Sequence, residues 1–179
     1  MPEGLNEKVA RDEIWKTLYK KWYDSYFNEI DSNRLVSRWQ ALDDVTKVMV
    51  ALTGSGSIVA GWTLWNQPGV KFIWVTLAGA SALLSIITTS LGVASRLKDW
   101  GNSKREFSVL RLGLEAILTK IKINPDFPIA KFSKLLEDKG EAYVEAVGRI
   151  RNDFMNTDGL KRACQAELDK LIEDQRLWK

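Results

Sequence analysis

The feature that most constrains this chain is a gap in its charges. Residues 48–70 carry none, Lys71 follows, and residues 72–95 carry none again, so 48 residues hold a single charge in a protein that is 27% charged. At 1.5 Å of rise per residue, each run forms a helix of roughly 35 Å, slightly longer than a bilayer's hydrocarbon core of about 30 Å. Two membrane helices are the direct expectation. The first run begins too far from Met1 for a cleaved signal peptide, and neither end carries a lipidation motif, so the helices themselves are expected to hold the protein.

Between the runs, Asn66-Gln67-Pro68-Gly69 reads as a tight turn, because Pro and Gly do not continue a helix cheaply. Trp62, Trp65 and Trp74 bracket that turn, and Trp39 and Trp100 lie beyond the far ends of the runs. Tryptophans so placed match the aromatic belts of membrane interfaces. Arg34, Arg38, Lys47, Arg96, Lys98, Lys104 and Arg105 sit near the same far ends, which predicts that both termini face the cytoplasm. The chain divides accordingly into residues 1–47 (an amphipathic cytoplasmic helix and the approach to the first span), 48–95 (a transmembrane hairpin) and 96–179 (a cytoplasmic helical region).

Two competing readings of the gap are weaker. A soluble bundle that hides an apolar hairpin needs a larger shell than the remaining residues supply. A phosphate loop at Thr53-Gly54-Ser55-Gly56-Ser57 lacks the third glycine of G-x-G-x-x-G, Val59 standing in its place, and no acidic residue follows before Asp99.

Close helix contact in lipid favours small and hydroxylated side chains. On the second run Ala78, Ser81, Ser85, Thr88, Gly92 and Ser95 alternate at three and four residues, which is one helix face. On the first, Thr53, Gly56, Ala60 and Thr63 repeat the pattern, with Ser57 and Gly61 as a further small pair. Such faces pack the hairpin or line a watery path in an oligomer, and the first use is the commoner. With no acidic or basic group inside either span, a proton relay, voltage sensor or ion-coupled carrier has nothing to work with. One hairpin cannot enclose a channel, so any pore requires several copies.

The flanks read as helices throughout, and the fold class is all-α. Trp15, Tyr19, Trp22, Tyr26 and Ile30 give an aromatic face expected to pack against the C-terminal helices, with a place on the membrane surface, basic side chains toward the headgroups, as the alternative. Ser32-Asn33 reads as a break, with the next helix starting near Arg34. Phe107, Leu110, Leu114, Ile117 and Ile121 continue the second span as one long rod whose weak points are Gly101 and Gly113. Breaks follow at residues 124–128 and 156–159, with a further interruption near Gly140. Cys164 falls on the apolar stripe of the last helix, where a buried small hydrophobe is the ordinary reading.

The chain has no His and one Cys, which excludes Ser-His-Asp and Cys-His hydrolases and a disulfide framework, and all but excludes structural zinc. Asp43-Asp44 and Glu137-Asp138 read as solvated helix charges rather than a catalytic pair. No cofactor is expected, and the expectation is a non-enzyme. Nucleic acid is disfavoured as a partner, because Asp12, Glu13, Asp24 and Glu29 offset the bases of the aromatic helix.

This order of elements, with the small-residue stretches at 53–61 and 78–92, resembles the SLATT family, bacterial two-helix membrane proteins associated with nucleotide-producing or nucleotide-sensing conflict systems. The likeness covers nearly the whole chain and rests on architecture. It implies an anti-phage effector of the inner membrane that forms a homo-oligomer on a cytoplasmic signal, perforates or depolarises the bilayer and arrests growth. A nucleotide second messenger and a partner sensor protein are both open as the activator, and no family-specific residue carries over to a numbered position.

Overall fold

The computed structural model describes residues 3–59, 68–124, 126–150 and 152–175, with side-chain surroundings described over 7–53, 72–124, 126–150 and 152–174. Five helices and no strand occur among them: α1 (Glu3–Val59), α2 (Pro68–Ser90), α3 (Val93–Ile123), α4 (Ile129–Gly148) and α5 (Asp158–Gln175). They form two compact units, one of residues 1–35 and 100–179, the other of residues 36–99.

In the first unit the N-terminal part of α1 packs with α3, α4 and α5. Its core is Leu18, Trp22, Phe107, Leu110, Leu114, Ile117, Leu118, Ile121, Phe132 and Ala146, with Trp15, Tyr19, Tyr26, Leu136 and Tyr143 packed around it. The aromatic face expected of α1 is thus buried against the later helices, and every position of the α3 stripe predicted from Phe107 to Ile121 lies in the interior. Burial of these side chains at about 1.5–3 kcal/mol each is what a helix this rich in charge needs for stability. The mid-helix polar groups are satisfied locally: Ser25 Oγ donates to the Lys21 carbonyl at 2.6 Å and Asn28 Nδ2 to the Asp24 carbonyl at 2.8 Å.

The break expected at Ser32-Asn33 does not occur, since α1 runs through it. Ser32 is buried, on one stripe with buried Leu35 and Trp39. A serine costs a helix interior only about 0.5 kcal/mol, which the burial of its neighbours outweighs. Gly140 likewise interrupts nothing, and α4 continues past it to Gly148.

The single long rod expected after the second charge-free run is also corrected. Leu91 N still bonds to Ile87 O at 2.9 Å, but Gly92 takes φ +61° and bonds back to Thr89 O, and a new helix restarts with Arg96 N on Gly92 O. A left-handed residue just past a helix end is a common stop, and glycine adopts it without the Cβ clash of other residues. The covered stripe of α2 carries on to Leu91, just past its end, that of α3 begins at Val93, and Gly92 between them takes up the change of phase. Arg96 Nε donates to the Leu91 carbonyl at 3.1 Å, placing a cation on the carbonyl end of α2. The weak points expected at Gly101 and Gly113 lie within uninterrupted helix.

The break expected at 124–128 falls between α3 and α4, whereas the one expected at 156–159 opens earlier, since α4 ends at Gly148 and leaves Ile150 and Phe154, expected on its stripe, outside the helix. Pro128, extended at φ −61° and ψ 128°, precedes α4. Thr157 caps α5, its Oγ1 accepting Leu160 N–H at 3.3 Å, and Asp158 adds negative charge to the first turn.

Candidate membrane-contact and assembly surfaces

The second unit is built from the later part of α1, from α2 and from the start of α3. On α1 one covered stripe holds Trp39, Leu42, Thr46, Met49 and Thr53, with Val36 and Asp43 half-buried beside it, and on α2 another holds Trp74, Leu77, Ser81, Leu84 and Thr88, with Ala80 half-buried beside it. Both sets alternate at three and four residues, the spacing at which one helix presents a narrow seam. Ser81 Oγ shares its proton between Leu77 O at 2.8 Å on its own helix and Met49 O at 3.2 Å on α1. A serine thus sits at the point where α1 and α2 meet, which a larger side chain would hold apart.

Outside this seam the unit inverts the usual order of a water-soluble fold. Phe72 is 74% exposed, Leu83 63% and Ile86 62%, while Val45, Val48, Leu52, Ile73, Val75 and Ile87 are also exposed. Large apolar groups therefore face outward beside exposed Thr76, Ser85 and Thr89, while Thr46, Ser81 and Thr88 lie on the covered stripes. Phe72–Ser90, 19 residues long, is the one helix among the described residues long and apolar enough to cross a membrane, and only 6% of its most apolar stretch is buried.

The small-residue face expected on α2 divides in two. Ser81 is buried and Thr88 half-buried, but Ala78 and Ser85 are exposed, and Leu77 and Leu84 take their places in the seam. The covered face lies roughly 50° around the helix axis from the expected one, at 3.6 residues per turn. The missed signal is that bulky Trp74, Leu77 and Leu84 share a three-four stripe with Ser81 and Thr88, so that the seam mixes large and small groups. Thr53 on α1 is half-buried, its hydroxyl donating to Met49 O at 3.0 Å. Gly92, expected on the small-residue face, instead ends α2. Gly56, Ala60, Trp62 and Trp65 lie outside the residues whose surroundings are described.

Of the remaining residues expected at an interface, Trp74 is half-buried and Lys98 exposed. Trp39 and Trp100 are covered by protein instead of lying at an open rim. Trp39 is fully buried, with the Arg96 guanidinium 5.0 Å from its ring centre, a cation–π distance. Trp100 is 4% exposed, and its Nε1 donates to Asp153 Oδ2 at 2.7 Å. Asp153 Oδ1 in turn accepts Met155 N–H at 2.9 Å, so one carboxylate holds both the indole and the turn before α5.

The titratable groups of the first unit form structural links between helices. Arg111 on α3 donates to Glu29 on α1 at 2.6 Å and to Glu115 at 3.2 Å, with Tyr26 stacked 4.6 Å from its guanidinium. Tyr23 donates to Asp169 on α5 at 2.9 Å and accepts from Gln165. Burial, and then the Asp169 carboxylate, raise the Tyr23 hydroxyl above its ordinary pKa. Burial, followed by Asp24, does the same for Tyr143. Cys164 is fully buried, as expected, its Sγ 3.9 Å from Asp31 Oδ1, while Asn156 Nδ2 donates to Asp31 Oδ2 at 2.9 Å. Among the described residues no three His, Cys, Asp or Glu side chains converge as metal ligands.

Two hollows open on α3. One of about 230 Å³ lies between α3 and α4, lined by Glu106, Val109, Ala142 and Glu145, with Arg149 bonded to Glu106 at 2.7 Å across its rim. The other, about 280 Å³ and mostly apolar, lies at the C-terminal end of α3 beside Thr119, Ile123 and Phe127. Between them runs a stripe that the sequence reading did not single out, Val109, Leu112, Ala116, Thr119 and Ile123, all exposed. Its signal was a second three-four apolar spacing on a helix whose first had already been assigned to the core. Compared with known proteins, the chain matches no family model, no curated protein and no solved structure.

Proposed function

We propose that this chain is a two-pass protein of the bacterial inner membrane, with both termini in the cytoplasm, and that it acts as a membrane effector. Copies assemble through their helices and depolarise the bilayer, arresting growth, in the anti-phage setting that the resemblance to SLATT proteins implies. The observation that carries this reading is the inverted order of the second unit, with Ser81, Thr46 and Thr88 toward the seam and Phe72, Leu83 and Ile86 outward. Outward side chains of that size cost free energy in water and are at home in lipid. The exposed bases Arg34, Arg38, Lys98, Lys104 and Arg105 support the cytoplasmic placement of both ends. Ser85, facing away from α1, is available to another copy or to a watery path.

A second reading, a membrane-anchored scaffold whose helical first unit recruits a soluble partner, is favoured by one specific observation. The α2 hydroxyls are spent on their own backbone: Thr76 donates to Phe72 O, Thr88 to Leu84 O and Thr89 to Ser85 O. Groups already satisfied in this way make a less polar path.

One experiment separates the readings. The chain is induced in bacteria, membrane potential is followed with a voltage-sensitive dye, and wild type is compared with Ser85→Leu at equal abundance in carbonate-washed membranes. Wild-type depolarisation that the substitution abolishes is the expected result. An intact potential during phage infection with the native neighbouring genes present, despite membrane residence, refutes permeabilisation and leaves the scaffold. Recovery of wild type in the carbonate supernatant refutes both.

A further inference from the structure

We infer that the exposed stripe of α3 is a self-association surface, on which the same stripe of a second copy packs with the two helices parallel. For the parallel direction the inference rests on the proposed membrane anchoring, which gives all copies one orientation. The surface itself is read from α3 alone. Val109 is 62% exposed, Leu112 54% and Ile123 75%, with Ala116 and Thr119 exposed between them. Nothing in the first unit's own packing calls for apolar groups there, because α3 meets its core through the separate stripe of Phe107, Leu110, Leu114, Ile117 and Ile121. Contiguous exposed apolar groups at regular helical spacing mark interaction sites.

The spacing identifies the occupant. Numbered as a heptad, Val109, Ala116 and Ile123 fall at a positions, and Leu112 and Thr119 at d. Val109 and Ile123 at a and Leu112 at d follow the combination, β-branched at a with Leu at d, that favours two parallel strands, and Ala116 and Thr119 leave room for close approach between them. Thr119 has its hydroxyl satisfied on the Glu115 carbonyl at 2.9 Å, so its methyl is free to pack.

The flanks agree. Glu115 falls at g and Lys120 at e, so in a parallel pair each Glu115 faces the Lys120 of the other copy, five residues on, twice by symmetry. Glu115 already accepts Arg111 Nη1 at 3.2 Å, which orients its carboxylate without using all of its lone pairs. The other flanking pair beside the stripe in this register is Ser108 with Gly113, so from Ser108 to Ile123 no like charges oppose one another. The hollow beside Val109 and Ala142 and the one beside Ile123 and Phe127 lie at the two ends of the stripe and offer room for the partner's side chains.

Site-directed disulfide formation in membranes tests this. In a full-length chain with Cys164→Ala, single cysteines are placed at Val109, Ala116 and Ile123, with Ala163, exposed on α5, as the control. Copper-phenanthroline oxidation is followed by non-reducing electrophoresis. Parallel a positions face their own equivalents, so all three stripe positions should give covalent dimers and Ala163 should not. Dimers at Ala116 alone, as an antiparallel crossing would give, overturn the parallel arrangement. Absence at all three, or equal yield at Ala163, overturns the surface altogether.

A charge exchange separates pairing from general packing. Lys120→Glu turns two attractive contacts repulsive and should lower dimer yield roughly tenfold, and adding Glu115→Lys should restore it. Loss without rescue, with helical circular dichroism unchanged, overturns the register. Failure of the membrane reading is distinct: dimers at all three positions with the membrane potential intact refute permeabilisation and support the pairing. Depolarisation by chains that give no dimer overturns the pairing alone.

Discussion

Replacing Gly92 and Gly101 by alanine, one at a time, should move stability in opposite directions although the chemical change is the same. A Cβ built at either position meets no atom within 4 Å, so neither substitution creates a clash, and what differs is the backbone. Gly92 has φ +61°, where the alanine Cβ crowds its own carbonyl at a cost of about 1–2 kcal/mol. Part of that is recovered, roughly 0.5 kcal/mol, because alanine also restricts the unfolded chain. The net expectation is a loss of about 1 kcal/mol. Gly101 is inside α3, where alanine is the better helix former by about 0.5–1 kcal/mol, so Gly101→Ala should stabilise by that amount. Urea titration of the detergent-solubilised chain, read by helical circular dichroism, measures both against wild type. In a chain of this length the two variants should melt several degrees apart, since 1 kcal/mol corresponds to about 2–4 °C. If Gly92→Ala matches Gly101→Ala in sign, the left-handed break is absent in solution, α2 and α3 run as one rod, and the argument from backbone conformation fails. Gly113 supplies a third case. Its Cβ would lie 3.0 Å from Lys139 Nζ, the free end of a flexible side chain, so Gly113→Ala should follow Gly101→Ala once that lysine swings away.

Three further outcomes follow from the same contacts. Arg111→Met should cost about 2 kcal/mol in urea titration, because Glu29, only 17% exposed, is left with a poorly compensated charge; adding Glu29→Gln should recover part of the loss, and strict additivity would refute the link. Trp100→Phe should cost about 1.5 kcal/mol beyond the change in area by depriving Asp153 of a donor, and a loss no larger in Trp100→Phe/Asp153→Asn than in Asp153→Asn alone would support the coupling. Alkaline pH should destabilise the fold. Tyr23 and Tyr143 keep their protons in the folded state to a higher pH than the ordinary value of 10.0, so above that value the unfolded chain binds fewer protons and stability falls as pH rises through the folded pKa. Below 10 their contribution is fully present, and Tyr23→Phe with Tyr143→Phe should flatten the decline. An equally steep loss in that double variant would refute the assignment.

Much of the architecture was legible because it depends on residue types that admit few alternatives. The Pro-containing stretch before α4 and the Thr157-capped start of α5 fall where the sequence placed them, since proline and short hydroxyl side chains act on the backbone within one turn. Phe107, Leu110, Leu114, Ile117 and Ile121 were legible as a buried stripe, being bulky, evenly spaced and continuous over four turns. Ser32-Asn33 and Gly92 show the converse. Both expectations rest on small propensity differences of about 0.5–1 kcal/mol, and burial around Ser32 reverses one while a change of stripe phase at Gly92 reverses the other.

The α2 face shows most clearly what one-dimensional spacing withholds. Positions 81 and 88 belong to two overlapping three-four stripes, one completed by Ala78 and Ser85, the other by Leu77 and Leu84. A rule that small residues make close contacts selects the first. In the structure Ser81 bonds to Met49 and half-buried Leu77 and Leu84 lie before and after it on the same stripe, so the seam is a mixture that the rule does not describe. The same reasoning separates the roles of two neighbouring hydroxyls. Thr88 faces α1 and its loss should loosen the hairpin within one copy, whereas Ser85 faces outward and its loss should act only where copies meet. Ser85→Leu is therefore the variant that reports on assembly in the bilayer, with Thr88→Leu as the measure of hairpin packing. The two serve different purposes although they sit three residues apart on what the sequence presents as one face.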